Sequence, residues 1–172
     1  MKLRKISLTI IFAFAALALF VAAAQAQDKP KDTVILTVGL LDSRYSALFD
    51  LGAENRQGVT AAANVRIVGG KTRLGGKFRF DQVAETRRYL FGPEVGHTFK
   101  KFFTPYGHAL FGFEDAYKAS TNRRVARLYG GGVRFNVGDH LVFNPAQYDA
   151  VFTEGPGQQR VDQVSASIGV RF

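Results

Sequence analysis

Strict alternation of apolar and polar residues is the feature that most limits what this chain can fold into. In the final nine residues, 164–172, the even positions are Val, Ala, Ile, Val and Phe, and the odd positions are Ser, Ser, Gly and Arg. A period of two places the two sets on opposite faces of an extended strand. The sequence therefore predicts a β-strand with one apolar face, ending on an aromatic ring of the kind found at membrane interfaces.

The same period recurs along most of the chain. It is found in six further segments, at 59–67, 71–81, 88–96, 105–114, 125–137 and 141–152. One strand before Gln57 brings the count to eight, and the sequence leaves open whether residues 34–41, residues 45–51 or both form it. Asn144-Pro145 interrupts the seventh strand and predicts a bulge, because proline removes a hydrogen-bond donor from the ladder.

The connections between these segments are predicted to alternate in length. Short turns are expected at Gly69-Gly70, Lys100-Lys101 and Gly138-Asp139, and longer loops at 82–86, 118–122 and 154–159. Tight turns at one end and longer loops at the other are typical of antiparallel up-and-down barrels that cross the bacterial outer membrane.

The beginning of the chain has the features of a secretory signal peptide. The basic segment 2–5 is followed by an apolar run and by Ala24-Gln25-Ala26, a small-residue cleavage site. We expect residues 1–26 to be removed, residues 27–32 to form a short periplasmic lead, and residues 33–172 to form one barrel domain. An uncleaved anchor is the alternative, because the apolar run is near the length that spans a bilayer. Beyond it no apolar run is long enough for a transmembrane helix, so strands would have to cross any membrane.

Composition narrows the function classes further. The chain contains no cysteine, so an exported domain of this size must be held together by ladder hydrogen bonds and packing, as a closed barrel is. The formal net charge of +9 falls to about +6 once the signal peptide is removed. Nucleic acid is nevertheless a poor partner for an exported chain.

Alternation alone does not say which face looks inward. A soluble, lipocalin-like periplasmic barrel that binds a small hydrophobic ligand would turn its apolar face inward, and it is the alternative interpretation. Glycine favours the membrane barrel, because it accompanies the long charged side chains on the polar face, where a small lumen needs space. The glycines concerned are Gly75, Gly92, Gly96, Gly112, Gly130, Gly132 and Gly169.

Aromatic residues are expected to form a girdle at each end of the barrel, as membrane interfaces require. The set near the short turns is Phe99, Phe102, Phe103, Phe135 and Phe172, and the set near the longer loops is Phe80, Tyr89, Phe113, Tyr117 and Phe152.

Several motifs resemble small bacterial outer-membrane β-barrel proteins related to the membrane domain of outer membrane protein A. They are 89–94 (YLFGPE), 102–112 (FFTPYGHALFG), 129–133 (YGGGV), 147–149 (QYD) and the ending 168–172 (IGVRF). The resemblance covers roughly Gln57 to Phe172 and supports the fold. It also implies that Phe172 is an assembly signal, read by the barrel-assembly machinery through the C-terminal strand. The chain lacks the peptidoglycan-binding domain of outer membrane protein A.

One polar cluster is predicted to fill the lumen, with cations outnumbering carboxylates. Its members are Arg66, Lys71, Arg73, Lys77, Arg79, Asp81, Glu94, Glu114, Arg134 and Asp149. Either Glu94 bridges several arginines or water fills part of the lumen, because unpaired buried charge is costly. The structural interpretation is an ion-paired plug, and the functional one is a narrow, anion-leaning pore. His108 is expected to join this network.

A second basic cluster is predicted at the outer ends of the strands, where guanidinium groups could hold the phosphates of lipopolysaccharide. Its members are Arg87, Arg88, Arg123, Arg124, Arg127 and Arg160. Solvated loop charges are the alternative explanation for this cluster.

Sequence motifs for catalysis, cofactors and metals are absent. The three histidines are too widely spaced for a metal motif, Gly130-Gly131-Gly132 precedes no helix that could bind phosphate, and no His-x-Ser pair occurs. These observations predict an all-β, eight-stranded antiparallel transmembrane barrel after a cleaved signal peptide. We expect it to be a monomer in the outer membrane, in contact with membrane lipid, with a structural or narrow-pore role and no catalytic activity.

Overall fold

The structure is a computed structural model that describes residues 34–47, 54–68, 70–100, 102–116, 123–154 and 159–172. The predicted signal peptide and periplasmic lead lie outside these residues. The strands are β1 (Val34–Ala47), β2 (Glu54–Val68), β3 (Thr72–Val83), β4 (Thr86–His97), β5 (Phe103–Ala116), β6 (Arg123–Val137), β7 (Leu141–Glu154) and β8 (Gln159–Arg171). No helix among the described residues is long and apolar enough to cross a membrane.

The eight strands form one closed antiparallel barrel. Each strand pairs with the next along the chain, and β8 pairs back with β1 from Ile35↔Arg171 to Ala47↔Gln159. The predicted count and up-and-down order are confirmed. We call the end that holds the start of β1 and the end of β8 the terminal end, and the other the far end.

The first strand contains residues of both candidate segments, which is one of the predicted possibilities. β1 covers residues 34–41 and continues through Tyr45 to Ala47, whereas residues 48–53 lie outside the described part of the chain. The segment 34–41 has little alternation because both faces carry apolar side chains. Ile35 and Leu41 are buried inside, and Leu40 is 62% exposed outside.

The outer surface carries the apolar face, as predicted. Every strand contributes at least one exposed large apolar side chain to it. We call this surface the apolar belt, and its representatives from β1 to β8 are Leu40, Ile67, Phe78, Phe91, Phe111, Tyr129, Phe143 and Ile168. Aromatic rings at its terminal end are in contact, with the centroids of Phe103 and Phe135 5.5 Å apart. At the far end Phe80 and Tyr89 are 5.2 Å apart, while Tyr117 lies outside the described residues.

Three strands continue beyond the apolar belt at the far end. In β1, Asp42 and Arg44 take the outward positions that follow Leu40, and both are exposed. They pair with Gln57 and Asn55 of β2 and with Val164 and Asp162 of β8. The ladder therefore extends past the last apolar position of β1 as a polar, hydrogen-bonded stem.

Bulges interrupt the ladder in three places near the terminal end. The register shifts between Arg66 and Val68, between Val133 and Phe135, and between Asn144 and Gln147. The last is the bulge predicted at Asn144-Pro145. An extra residue inverts the alternation, so buried positions in β7 are odd from Gln147 onward but even at Val142 and Asn144.

The predicted alternation of loop lengths is wrong at β4. A loop was expected at 82–86, but β3 ends at Val83 and β4 begins at Thr86, with Ala84 at a φ of 50° in a two-residue turn. At the other end of β4, residues 98–102 separate it from β5, where a short turn was expected. Polar residues near 82–86 belong to strand ends rather than to a loop, and polarity alone did not distinguish the two.

Glycine on the inner face has a different main role from the predicted one. A Cβ atom at Gly92 or Gly112 would first collide with a backbone carbonyl of the neighbouring strand, that of Ala109 or Tyr89 respectively. At these positions glycine permits close approach of two backbones, as strong coiling of a small barrel requires. Glycine leaves space for a neighbouring side chain, as predicted, at only a few positions. A Cβ at Gly130 would meet the Asp149 carboxylate, and one at Gly132 would lie 3.0 Å from the Tyr106 hydroxyl.

Gly112→Ala tests this close approach. Because its Cβ would contact the Tyr89 carbonyl, we expect the free energy of unfolding to fall by roughly 1–3 kcal/mol. The measurement is a urea titration of the folded barrel in detergent micelles, followed by far-UV circular dichroism. Gly76→Ala is the matched control, because a Cβ there has no atom within 4 Å. Equal midpoints for the two variants would contradict the backbone-contact explanation.

Candidate functional site

The barrel interior is filled by one continuous polar network, which is the candidate site. Its members come from every strand except β2 and are largely buried. We call this set the interior network, and it consists of Ser43, Lys77, Arg79, Asp81, Glu94, Tyr106, His108, Arg134, Gln147, Asp149 and Gln163.

Arg79 and Asp149 form the centre of the interior network. The side chains of both are 1% exposed or less. Arg79 forms an ion pair with Asp149, and its Nε donates to Asp81 Oδ1 at 2.7 Å. Gln147 Nε2 donates to the same carboxylate of Asp149 at 2.6 Å. Two carboxylates thus surround one guanidinium, which stabilises all three groups away from bulk water.

His108 connects the centre of the network to its terminal half, as predicted. Its Nε2 lies 2.8 Å from Asp149 Oδ1, and its Nδ1 lies 3.4 Å from Lys77 Nζ. The ammonium group can only donate, so Nδ1 must accept and Nε2 must carry the proton. These contacts favour the neutral imidazole with its proton on Nε2.

Glu94 is shared by two cations. Arg134 donates to Glu94 Oε1 at 2.8 Å, and Lys77 Nζ lies 3.3 Å from Oε2. Both cations also lie over the ring of Tyr106, at 4.7 Å for Arg134 and 5.1 Å for Lys77. The Tyr106 hydroxyl donates to Gln147 Oε1 at 2.7 Å and so joins this half to the centre. The sequence predicted Glu94 as a bridge, and it pairs with one arginine and one lysine.

An apolar layer crosses the interior on the far side of the network. It consists of Leu90, Leu110, Ala126, Leu128, Val151 and Val161, each at most 1% exposed. These residues occupy inward positions on β4 to β8, on the far-end side of the network members of the same strands. The alternation already predicts that Leu90, Leu110, Ala126 and Leu128 face inward. It does not predict that they pack together as one apolar cluster.

A second ion pair lies nearer the far end, where Arg88 is the register partner of the network residue Asp81. Arg88 Nε donates to Glu114 Oε2 at 2.5 Å, and Arg88 NH2 donates to the Tyr45 hydroxyl at 3.3 Å. Glu114 was predicted as part of the lumen cluster, whereas the assignment of Arg88 to the outer basic cluster was wrong, because its side chain is 1% exposed and faces inward. The signal that could have found Arg88 is its alternation with Leu90, which puts both on the inner face.

Besides Glu114, three predicted cluster members lie outside the interior network. Lys71 is exposed just before β3 begins, so its assignment to the lumen was wrong. The alternation was extended one residue beyond the strand. Arg66 and Arg73 are partly buried and line an open recess at the terminal end, together with Glu94 and Arg134.

The predicted outer arginines divide between the two faces. Arg123 lies 3.7 Å from Asp115, Arg127 2.5 Å from Glu154, and Arg160 3.0 Å from Asp162. These three are exposed on the outer face, and Arg87 takes an outward position beside Arg88. Arg124 instead shares the inward set of positions with Ala126, which the alternation of β6 already implied.

The last residue is tied to the first strand. Phe172 N donates to Val34 O at 2.9 Å, which continues the β1–β8 ladder to the end of the chain. Arg171 donates to the carbonyl of Asp139 at 2.7 Å and fixes the neighbouring turn. Within the described part of the chain, no group of three or more histidine, cysteine or acidic side chains is placed to hold a metal ion.

Comparisons with known proteins identify the fold. No protein-family model matches the chain, and no curated protein matches it in sequence. Among solved structures, Neisserial surface protein A is similar with a TM-score of 0.60 and 15% identity, over 81% of this chain and 97% of that one.

The attachment invasion locus protein Ail of Yersinia pestis is similar with a TM-score of 0.55 and 15% identity, over 82% of this chain and 99% of that one. Ail has also been solved in a phospholipid bilayer nanodisc and in complex with the heparin analogue sucrose octasulfate. The chain therefore has the fold of the small eight-stranded barrels of bacterial outer membranes.

Proposed function

We propose that this protein is an exported barrel of the bacterial outer membrane with a structural role, and that its interior does not conduct. The observation that carries the proposal is the combination of an apolar outer surface with an interior closed by the interior network and the apolar layer. A narrow pore is the alternative role for an outer-membrane barrel of this kind.

The height of the apolar belt supports a place in the membrane. In β2, outward apolar positions run from Val59 to Val68. With a rise of about 3.3 Å per residue and a tilt of about 40°, they span about 23 Å along the barrel axis. Outer-membrane barrels present an apolar band about 25 Å tall.

Exposure of the belt argues against the soluble alternative. A lipocalin-like barrel would bury large apolar side chains around a ligand pocket. Here Phe91 is 61% exposed and Phe78 is 51% exposed, while Arg79 is 1% exposed in the interior. A surface of this kind is stable in contact with lipid, whereas in water it would promote aggregation.

The filled interior supports a structural role over a pore. A conducting path needs water or mobile ions along its length, but the apolar layer packs buried side chains from five neighbouring strands together in the interior. An apolar constriction of this kind excludes water and ions. We propose no catalytic role and no cofactor, because His108, the inner histidine, is committed to Asp149 and Lys77.

The test of this function uses the tagged full-length chain expressed in a Gram-negative host. We expect it in the outer-membrane fraction, with faster gel migration before heating than after, because a closed barrel resists detergent. In planar lipid bilayers the purified barrel should give no discrete conductance steps. A known porin in the same bilayers is the positive control.

The outcomes separate the interpretations. Recovery as a soluble periplasmic protein with no heat-dependent shift would overturn the membrane assignment. Outer-membrane recovery with reproducible conductance steps would overturn only the structural role. Leu110→Ala combined with Leu128→Ala should then raise that conductance if the apolar layer limits it, whereas the outward Phe111→Ala should not.

Asp149→Asn tests whether the interior network supports the fold. The variant leaves Arg79 buried beside a neutral amide, and breaking a buried ion pair costs about 3–5 kcal/mol. We expect the urea midpoint of the folded barrel to fall accordingly. Asp139→Asn is the control, because Asp139 is exposed in a turn. Midpoints that agree within error would remove the structural role of the network.

We also propose that the C-terminal strand with Phe172 is recognised by the barrel-assembly machinery, and that the mature barrel is a monomer. Its closed ladder presents no strand edge to a second copy.

Lipopolysaccharide is the proposed lipid partner of the outer face. Arg123, Arg127 and Arg160 lie beside single carboxylates on the exposed surface. Exposed ion pairs contribute about 1 kcal/mol or less, so bidentate contacts to lipid phosphates can replace them.

The lipopolysaccharide contact predicts greater heat stability in bilayers that contain this lipid than in neutral bilayers. The triple replacement of Arg123, Arg127 and Arg160 by Gln should remove the difference. Replacement of Lys71 and Lys100 by Gln, at the terminal end, serves as the control. Equal heat stability of the unmodified barrel in the two kinds of bilayer would contradict the proposed lipopolysaccharide contact.

A further inference from the structure

A small open recess lies at the terminal end of the barrel. Its polar lining is contributed by strands β2 to β6 and comprises Asn64, Arg66, Arg73, Glu94, Thr104 and Arg134. Toward the far end the interior network and then the apolar layer follow. Among the described residues, the recess is therefore a dead end that is entered from the terminal end.

Positive charge dominates the wall of the recess. Three guanidinium groups and one carboxylate line it among the described residues. The carboxylate, Glu94, is already shared, since Arg134 lies 2.8 Å from one oxygen and Lys77 3.3 Å from the other. Neighbouring cations that share one carboxylate are best stabilised by a further anion.

Arg134 provides a fixed donor at this wall. Its side chain is 5% exposed, NH2 is bonded to Glu94, and the guanidinium lies 4.7 Å over the Tyr106 ring. Nε of Arg134 is buried and has no hydrogen-bond partner in the described part of the chain. The ring and the carboxylate hold the guanidinium plane, so the N–H direction is set before any ligand arrives.

From this geometry we infer that the recess binds a small soluble oxyanion of the phosphate class, such as inorganic phosphate or a phosphate monoester. Guanidinium groups match phosphate oxygens in geometry and charge, and an N–H already fixed in place loses little entropy on binding. Arg134 is the anchoring residue, and Arg66 and Arg73 contribute charge at the entrance. This inference does not depend on the membrane location or on the absence of conductance.

Isothermal titration of the barrel, folded in an uncharged detergent, with inorganic phosphate tests the inference. We expect saturable heat from one site, and no comparable heat from chloride or acetate at the same ionic strength. Arg134→Gln should weaken binding roughly tenfold or more, because it removes a charged donor from a desolvated wall. Lys71→Gln removes one charge at the same end outside the recess and should leave the affinity unchanged.

A second variant keeps the test valid if Arg134→Gln does not fold. Arg66→Gln leaves the Glu94 pairs in place and should weaken phosphate binding by a smaller factor. Absence of saturable heat with the unmodified barrel, or equal weakening by Lys71→Gln, would overturn the inference.

Repeating the titration in nanodiscs distinguishes a soluble phosphate ligand from a lipid headgroup. Loss of the phosphate heat with phosphatidylglycerol, but not with a zwitterionic lipid, would assign the recess to a lipid headgroup and overturn a soluble ligand.

Discussion

Closure of the ladder between β1 and β8 is the constraint on which the rest of the structure depends. It pairs every strand on both sides, so the backbone polar groups that a sheet edge would expose are satisfied within the barrel. Once the backbone is satisfied internally, the outer surface is free to be apolar from Leu40 round to Ile168. The same closure confines the inward side chains to a narrow space and forces Arg79, Asp149 and His108 into contact.

The narrow space has a consequence for charge. Each interior carboxylate is held by one or more cations, and the pairs link strands that are distant in the sequence, as Arg79 and Asp149 do across 70 residues. Such pairs contribute little net stability on average but are costly to break, so they favour one arrangement of the strands over others. On β4 and β5, Leu90 and Leu110 lie between the network and the pair of Arg88 and Glu114, but Arg88 is also the register partner of Asp81 of the network. Charge in the interior is therefore held in ion pairs rather than spread along an open channel.

Alternation predicted the strand count and the facing of almost every described residue, because burial on one face leaves a period of two in the sequence. It did not predict which side chains are in contact. Glu94 contacts Arg134 and Lys77 because the strand register and the bulges bring these three residues together. The bulge near Arg66 contains no proline, and the two-residue turn after Val83 is flanked by polar strand ends that resemble a loop. The apolar layer was overlooked for a different reason. Its members are ordinary apolar residues whose importance lies in their contacts with one another across five strands.

The polar stem formed by β1, β2 and β8 changes what the far end can present to its surroundings. From Leu40 to Ala47 the strand continues for seven residues, which at about 3.3 Å each and a tilt of about 40° amounts to roughly 18 Å. The two ends of the 48–53 connection, Ala47 and Glu54, are thereby held well clear of the apolar surface by a hydrogen-bonded support. Amide protons of the stem should exchange slowly although its outer face is wet, so rigidity in this protein does not end where the apolar surface ends.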